Sequence, residues 1–290
     1  MKESLLYEKL PEDRVRCSTC PHRCVIAPGA RGLCRVRENQ RGILFALNYG
    51  KTIALAVDPV EKKPLYHFLP HTKTYSFATQ GCNLRCAWCQ NWEIAQSPSF
   101  QAPVEGRLIS PEEHVKNALA LHCPSISFTY SEPTIFLEYA LDTMVRAKEA
   151  GLKTIWVTNG YMTPETLELL LPYLDAANVD YKGADDQVYQ KYCGGTSAPV
   201  RETLRRMVAA GVHVEVTTLV IPGVNDSPES LDSIARFIAK ELGPTVPWHV
   251  SRFFPAWKML NTPITPKETL DLAEEIGKAA GLLRIHLGNL

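Results

Sequence analysis

Seven of the nine cysteines stand in two tight groups, Cys17, Cys20, Cys24 and Cys34, then Cys82, Cys86 and Cys89, with Cys123 and Cys193 alone. An odd total held in clusters points to metal ligation rather than disulfides. The second group reads Cys82-Asn-Leu-Arg-Cys86-Ala-Trp-Cys89, a spacing of three residues and then two. Three thiolates on one loop can hold three irons of a 4Fe-4S cubane and leave the fourth iron without a protein ligand. A metal with an open position is a reactive site. The plainer alternatives are a zinc site with its fourth ligand elsewhere, or a cluster completed by Cys123 or Cys193.

The first group, Cys17-Ser-Thr-Cys20-Pro-His-Arg-Cys24 followed by Cys34, supplies four thiolates and can close its metal completely. A zinc ion would staple a segment too small to fold alone. An auxiliary 4Fe-4S cluster would serve as an electron relay. Spacing leaves both open, and His22 reads as a surface residue rather than a ligand. Six arginines, Arg14, Arg16, Arg23, Arg31, Arg35 and Arg37, and no acid lie between residues 14 and 37. Four thiolates on a divalent metal leave about two negative charges, which these cations offset.

The elements that must position these residues can be read from residue 70 onward. Strand-like runs at Thr74 to Ala78, Ser125 to Tyr130, Lys153 to Thr158, Ala177 to Tyr181, His213 to Ile221 and Pro247 to Phe254 are rich in β-branched and aromatic residues. Continuous apolarity marks parallel strands buried on both faces. Between them, Ser110-Pro-Glu-Glu113 and Thr265-Pro-Lys-Glu268 read as capping boxes, and Thr163-Pro164 and Ser227-Pro228 as cap-then-proline starts. Gly151, Gly211 and Gly281 fall where left-handed C-caps are expected. The pattern gives six βα units and a last strand near Arg284 to Leu287, an α/β barrel or partial barrel with its site at the strand C-termini. A doubly wound sheet is the rival, weakened because no dinucleotide glycine fingerprint follows the first strand. Residues 1–70 read as a small metal-binding subdomain, with a strand pair at Gly42 to Asn48 and Thr52 to Val57, and residues 71–290 as the barrel.

With 290 residues, 45% apolar, and 31 basic against 31 acidic side chains, the chain is neutral and large enough for a proper core. Zero net charge argues against a general nucleic-acid binder. No apolar run reaches the roughly 18 to 20 residues of a membrane span, and the amino terminus lacks a secretory signal, so a cytoplasmic location is expected.

The three-cysteine loop after the first barrel strand, with an aromatic before the last cysteine, resembles the signature of the radical S-adenosylmethionine (SAM) enzymes. That resemblance implies a partial (β/α)6 TIM-like barrel in which the open iron is chelated by SAM. An electron from the cluster then cleaves SAM to methionine and a 5′-deoxyadenosyl radical, with a reductant such as flavodoxin or ferredoxin as partner. Ser131-Glu132-Pro133 stands where related enzymes carry Gly-Gly-Glu-Pro, so Glu132 inherits contact with the SAM amino group, although both glycines are missing. Thr158-Asn159-Gly160 and Asp180-Tyr181-Lys182 resemble two further SAM-contacting strand ends of the pyruvate formate-lyase activating enzymes. Val157 replaces the acid that group tends to carry. Trp88 is expected to pack over the cluster and limit water, and His249 to be near enough for a SAM or substrate contact. Taken singly, Glu132 could be a helix-start acid, Asn159-Gly160 a turn and Trp88 core filler.

A narrower resemblance is to the radical SAM member of the so-called AmmeMemoRadiSam system. It rests on Asp58-Pro-Val-Glu-Lys-Lys-Pro-Leu-Tyr-His67-Phe, Tyr130-Ser-Glu-Pro-Thr-Ile-Phe136, Tyr192-Cys-Gly-Gly195, Ile221-Pro-Gly-Val-Asn-Asp226 and Trp248-His-Val-Ser-Arg-Phe-Phe-Pro255. Relatives often continue past the final Gly-Asn with another cysteine pair, whereas this sequence stops at Gly288-Asn289-Leu290, either short by nature or with a tail removed. The implied substrate is a peptide or protein, as in glycyl-radical activation, or a small molecule. The rival from another class is a noncatalytic iron-sulfur protein that relays electrons or scaffolds a complex.

Overall fold

A computed structural model describes residues 1–290. Its largest sheet contains β1 (Ala54–Pro59), β2 (Lys73–Ala78), β3 (Ser125–Phe128), β4 (Lys153–Thr158), β5 (Ala176–Asp180), β6 (His213–Val220), β7 (Trp248–Arg252) and β8 (Ile285–Gly288). They lie in chain order across the sheet, and every pairing from β2 to β8 is parallel, while β1 runs antiparallel to β2. The ends β1 and β8 do not pair, so the barrel is partial. All four residues of β3 are buried, as both faces of a parallel strand under helices must be.

The helices that return each crossover are α1 (Pro111–Ala120), α2 (Leu137–Glu149), α3 (Pro164–Leu170), α4 (Ser197–Ala209), α5 (Pro228–Phe237) and α6 (Lys267–Ala280). Ser110 and Glu113 form the expected reciprocal capping box, and Thr163 and Ser227 cap as expected. The box expected at Thr265 does not form. Its hydroxyl is buried, donating to the Val220 carbonyl (2.6 Å) and accepting from the Phe253 amide (3.0 Å), so it fastens the ends of β6 and β7 instead.

The two amino-terminal β-runs also do not pair with each other. Ile43–Ala46 pairs with Arg37–Gln40 and Lys2–Glu3 in a small separate sheet, while β1 joins the barrel. The small amino-terminal sheet is tied to the barrel by a buried ion pair: Arg37 donates to both oxygens of Glu138 on α2, at 2.9 and 2.8 Å.

Residues 60–72 leave β1 and enter β2 at the amino-terminal end of the parallel strands, plugging that end. Glu215 on β6 holds the plug. Fully buried, it accepts from the Tyr66 amide (3.0 Å), the His67 amide (2.8 Å), His213 Nε2 (2.9 Å) and His249 Nε2 (2.6 Å). Burial pushes its carboxyl up, but these donors outweigh that and hold it well below the usual carboxylate range. A depressed folded value stabilises above the unfolded pKa, about 4.3 for glutamate, and the contribution is lost as pH falls below it. Wild type is therefore expected to exceed Glu215→Gln in urea midpoint near neutrality, with the gap closing as pH drops below about 4. A gap unchanged over that range would show that the charge is not the anchor.

Candidate functional site

The chain leaves β2 through Thr79 and Gln80 and turns at Gly81. Gly81 sits at φ +103°, and a Cβ there would lie 2.9 Å from both the Cys34 carbonyl oxygen and Val36 Cγ1. Only glycine meets both demands, and the turn delivers the 82–89 loop to the mouth of the barrel. The loop's backbone is then clamped: the Arg85 amide donates to the Cys193 carbonyl (2.7 Å) and the Ala87 amide to the Tyr192 carbonyl (2.9 Å). Arg85 Nη1 also reaches the Cys82 carbonyl at 3.0 Å.

Three thiols gather on this loop in different electrostatic settings. Cys82 Sγ accepts from the Leu84 amide (3.4 Å) and Asn159 Nδ2 (3.7 Å), while burial pushes its pKa well up. Burial, with the neighbouring Cys86, raises Cys89 to about 11. Cys86 is held below its ordinary value, first by a hydrogen bond with the Cys193 thiol, against burial, with the Lys182 ammonium adding to the effect. Lys182 is nearly buried and paired with Asp180 at 3.1 Å. Burial opposes its charge, but Asp180 and the thiols keep it well above the usual lysine value. Amide donors on sulfur and an adjacent cation are the setting that anionic sulfur ligands need. No three His, Cys, Asp or Glu side chains are arranged to hold a single metal ion. The donor set itself, three thiols on one loop with an amide on Cys82 and a cation beside Cys86, suits an iron-sulfur cluster.

Two of the three strand ends expected to bind SAM, those of β3 and β4, meet at Glu132, while Asp180 and Lys182 at the end of β5 lie beside Cys86. The Glu132 carboxylate, 2% exposed, accepts from the Thr134 amide (3.0 Å), Thr134 Oγ1 (2.6 Å), Thr158 Oγ1 (2.7 Å) and the Asn159 amide (2.8 Å). The charge is thereby filled by the protein's own donors and ties the end of β3 to the end of β4. Burial still raises its pKa. Asn159 in turn donates to Asn83 Oδ1 at 2.8 Å, so the strand ends are bolted to the cysteine loop. Trp88 is buried in the main core, its ring 5.9 Å from that of Tyr192. His249 is placed differently from the other expected contacts: it is buried, its Nε2 is given to Glu215, and its ring meets Tyr66 of the plug edge-on at 4.7 Å. Val157 packs with the small cluster around Val60 and Leu65.

Asn83 carried no separate signal in the sequence, and Cys193 was open there as a fourth cluster ligand. Asn83 donates to the Tyr161 carbonyl (2.6 Å) while accepting from Asn159. Cys193 is fully buried against Cys86. Cys123 lies elsewhere, with its Sγ near the Leu121 carbonyl.

The amino-terminal group also converges. Cys17, Cys20, Cys24 and Cys34 line one pocket together with Thr19, Leu33 and Arg37. Burial raises Cys34 to about 11.

The model of the Radical SAM superfamily matches residues 76–238. Along its whole length the chain is 45% identical to an uncharacterized protein of Methanocaldococcus jannaschii, covering 86% of that protein. It is 27% identical over 168 residues to the pyruvate formate-lyase-activating enzyme of Clostridium pasteurianum, covering 55% of this chain and 66% of that one. A radical SAM methyltransferase from Sphaerobacter thermophilus shares the fold, with TM-score 0.56 and 18% identity over 76% of this chain and 67% of the other. No helix is long and apolar enough to cross a membrane.

Proposed function

The chain belongs to the radical SAM superfamily, and from that premise we propose that Cys82, Cys86 and Cys89 hold a 4Fe-4S cluster whose open iron binds SAM. The cluster, when bound, supplies the electron for reductive cleavage of SAM, which leads to hydrogen abstraction from a substrate. The observation that carries this reading is the knot joining Cys82, Asn83, Asn159, Thr158 and Glu132, because it fixes three strand ends around the three-thiol loop.

The chain's own residues then have distinct tasks. Glu132 positions the loop ends, leaving Asn159 and the backbone of the Ser131 turn to face the ligand. Lys182 offsets thiolate charge beside Cys86. Trp88 seals the loop's underside against water. The implied electron donor is a flavodoxin-like or ferredoxin-like protein, and the substrate a peptide, protein or small molecule, with a glycyl-radical activating role as one version. The motifs quoted above support our assignment to the radical SAM members of the AmmeMemoRadiSam system, and the location we propose is the cytoplasm.

The test is anaerobic: reduced protein given SAM should release 5′-deoxyadenosine and methionine, and its electron paramagnetic resonance (EPR) spectrum should change on adding SAM. A second reading is favoured by one contact, the Cys86–Cys193 pair. If Cys193 completes the cluster, the protein is an electron carrier or scaffold, and neither response appears. Glu132→Gln places an amide where the Asn159 amide now donates or where the threonines do. It is expected to raise the KM for SAM about tenfold or more by loss of charge-assisted hydrogen bonds, with a smaller change in kcat; an unchanged KM would remove Glu132 from the site.

A further inference from the structure

We propose that Tyr130 is a positioning residue for the SAM site, a role that rests on the SAM chemistry proposed above: the plug and β1, through Lys63 and Asp58, grip its side chain so that its backbone stays in the turn that presents Ser131 and Glu132. Tyr130 has φ +62°, in the left-handed region that glycine takes freely and a bulky side chain takes at a cost. The Ser131 amide donates to the Thr129 carbonyl at 2.8 Å, closing a three-residue turn around Tyr130. A three-residue turn with a positive φ at its centre is the strained form, and such strain persists only where surrounding contacts over-determine it.

Those contacts come from the side chain. The phenol O–H donates to the Asp58 carboxylate on β1, and the Lys63 ammonium lies 4.3 Å from the centre of the ring. Lys63 in turn donates to Asp58 Oδ2 at 2.6 Å, and Lys62 to Oδ1 at 3.1 Å. Asp58 and Lys63 are both buried. Burial opposes the Asp58 charge, but Lys63, Tyr130 and Lys62 outweigh it and hold the carboxyl at about 2, so the acceptor stays ionised. A charge-assisted hydrogen bond and a desolvated cation–π contact together offset the strain of the turn.

The backbone of the turn is joined to both sides of the site. The Tyr130 carbonyl accepts from Asn91 Nδ2 at 2.7 Å, two residues past Cys89. Ser131 Oγ donates to the Thr79 carbonyl at 2.7 Å, on the way into the cysteine loop. Glu132 follows directly and carries the bonds to Thr158 and Asn159. A turn relaxed toward negative φ would re-aim Ser131 and Glu132 and break these registers. Only the strained conformer is then competent, and the apparent affinity for SAM falls in proportion to its population. Asp58 and Lys63 thereby act on the SAM site without touching it.

Three substitutions separate the demand of the turn from its grip. Tyr130→Ala keeps the strain and loses the grip, Tyr130→Gly loses both, and Tyr130→Phe keeps the ring beside Lys63 and loses only the bond to Asp58. In anaerobic, reconstituted proteins matched to wild type in iron content, SAM is titrated against the EPR change. The midpoint should rise about tenfold or more in Tyr130→Ala and about fivefold in Tyr130→Phe, while Tyr130→Gly stays within about threefold of wild type. The rate of 5′-deoxyadenosine release at saturating SAM should move much less. Urea midpoints of the same samples should place Tyr130→Gly above Tyr130→Ala, because alanine at a positive φ is strained and glycine is not. Equal weakening of SAM binding in the glycine and alanine variants would overturn the positioning role, since it would show the side chain itself touching the ligand; so would wild-type affinity in Tyr130→Ala. Wild type without an EPR response to SAM would overturn the SAM reading and the positioning role together, whereas a responsive wild type with unchanged variants overturns the positioning role alone.

Discussion

Cys86→Ala is expected to abolish release of 5′-deoxyadenosine from SAM, with a fall of roughly a thousandfold or more, equivalent to about 4 kcal/mol of barrier. The loss is not a matter of folding, because Cys86 lies on a loop held mainly through backbone hydrogen bonds at Arg85 and Ala87, which the substitution keeps. Cys193→Ala is the informative companion. It removes the partner that lowers the Cys86 pKa, but if Cys193 is not a ligand the cluster and its SAM response remain. Loss of iron from the loop in Cys193→Ala, together with wild type that ignores SAM, would favour the closed-cluster alternative. Iron analysis, EPR and product assay on the two variants separate the cases.

Arg37→Met is expected to cost about 3–5 kcal/mol of stability, the range for breaking one side of a buried ion pair. Both side chains are almost wholly inaccessible, at 2% and 0% exposure, so neither charge can fall back on water. Glu138 also accepts from the Leu5 amide at 3.0 Å, a contact that alone cannot replace the lost guanidinium. Glu138→Gln should show a similar cost, because it leaves the guanidinium buried without its counter-charge. The double variant Arg37→Met/Glu138→Gln should recover much of the loss, since residues in direct contact do not behave additively. Urea midpoints of the four proteins under identical metal loading measure the coupling; additive losses would mean that the pair does not act as a unit.

The fold was legible where its cause is local. A hydroxyl before proline starts a helix at Ser110, Thr163 and Ser227 because the cap bond spans three residues. The same logic failed at Thr265, whose hydroxyl had better use between two strand ends distant in sequence. It failed again for the two β-runs before residue 60, because strand propensity does not state which strand will be the partner. The cysteine loop was legible because all three thiols share one short segment. Glu132 was found by resemblance, but its contacts with Thr158 and Asn159 depend on the parallel register of β3 and β4.

By itself, then, the sequence determined the βα rhythm, the three-thiol loop and the four-cysteine group, since each is written in neighbouring residues. Tertiary structure alone decided that Cys193 lies against Cys86, that His249 is bound to Glu215 and the plug, that Arg37 pairs with Glu138 and lines the amino-terminal pocket, and that Cys34 packs on Gly81. These pairings join positions far apart in the chain, 107 residues for Cys86 and Cys193 and 149 for Tyr66 and Glu215. No local rule of spacing, capping or periodicity reaches that far; packing and register do.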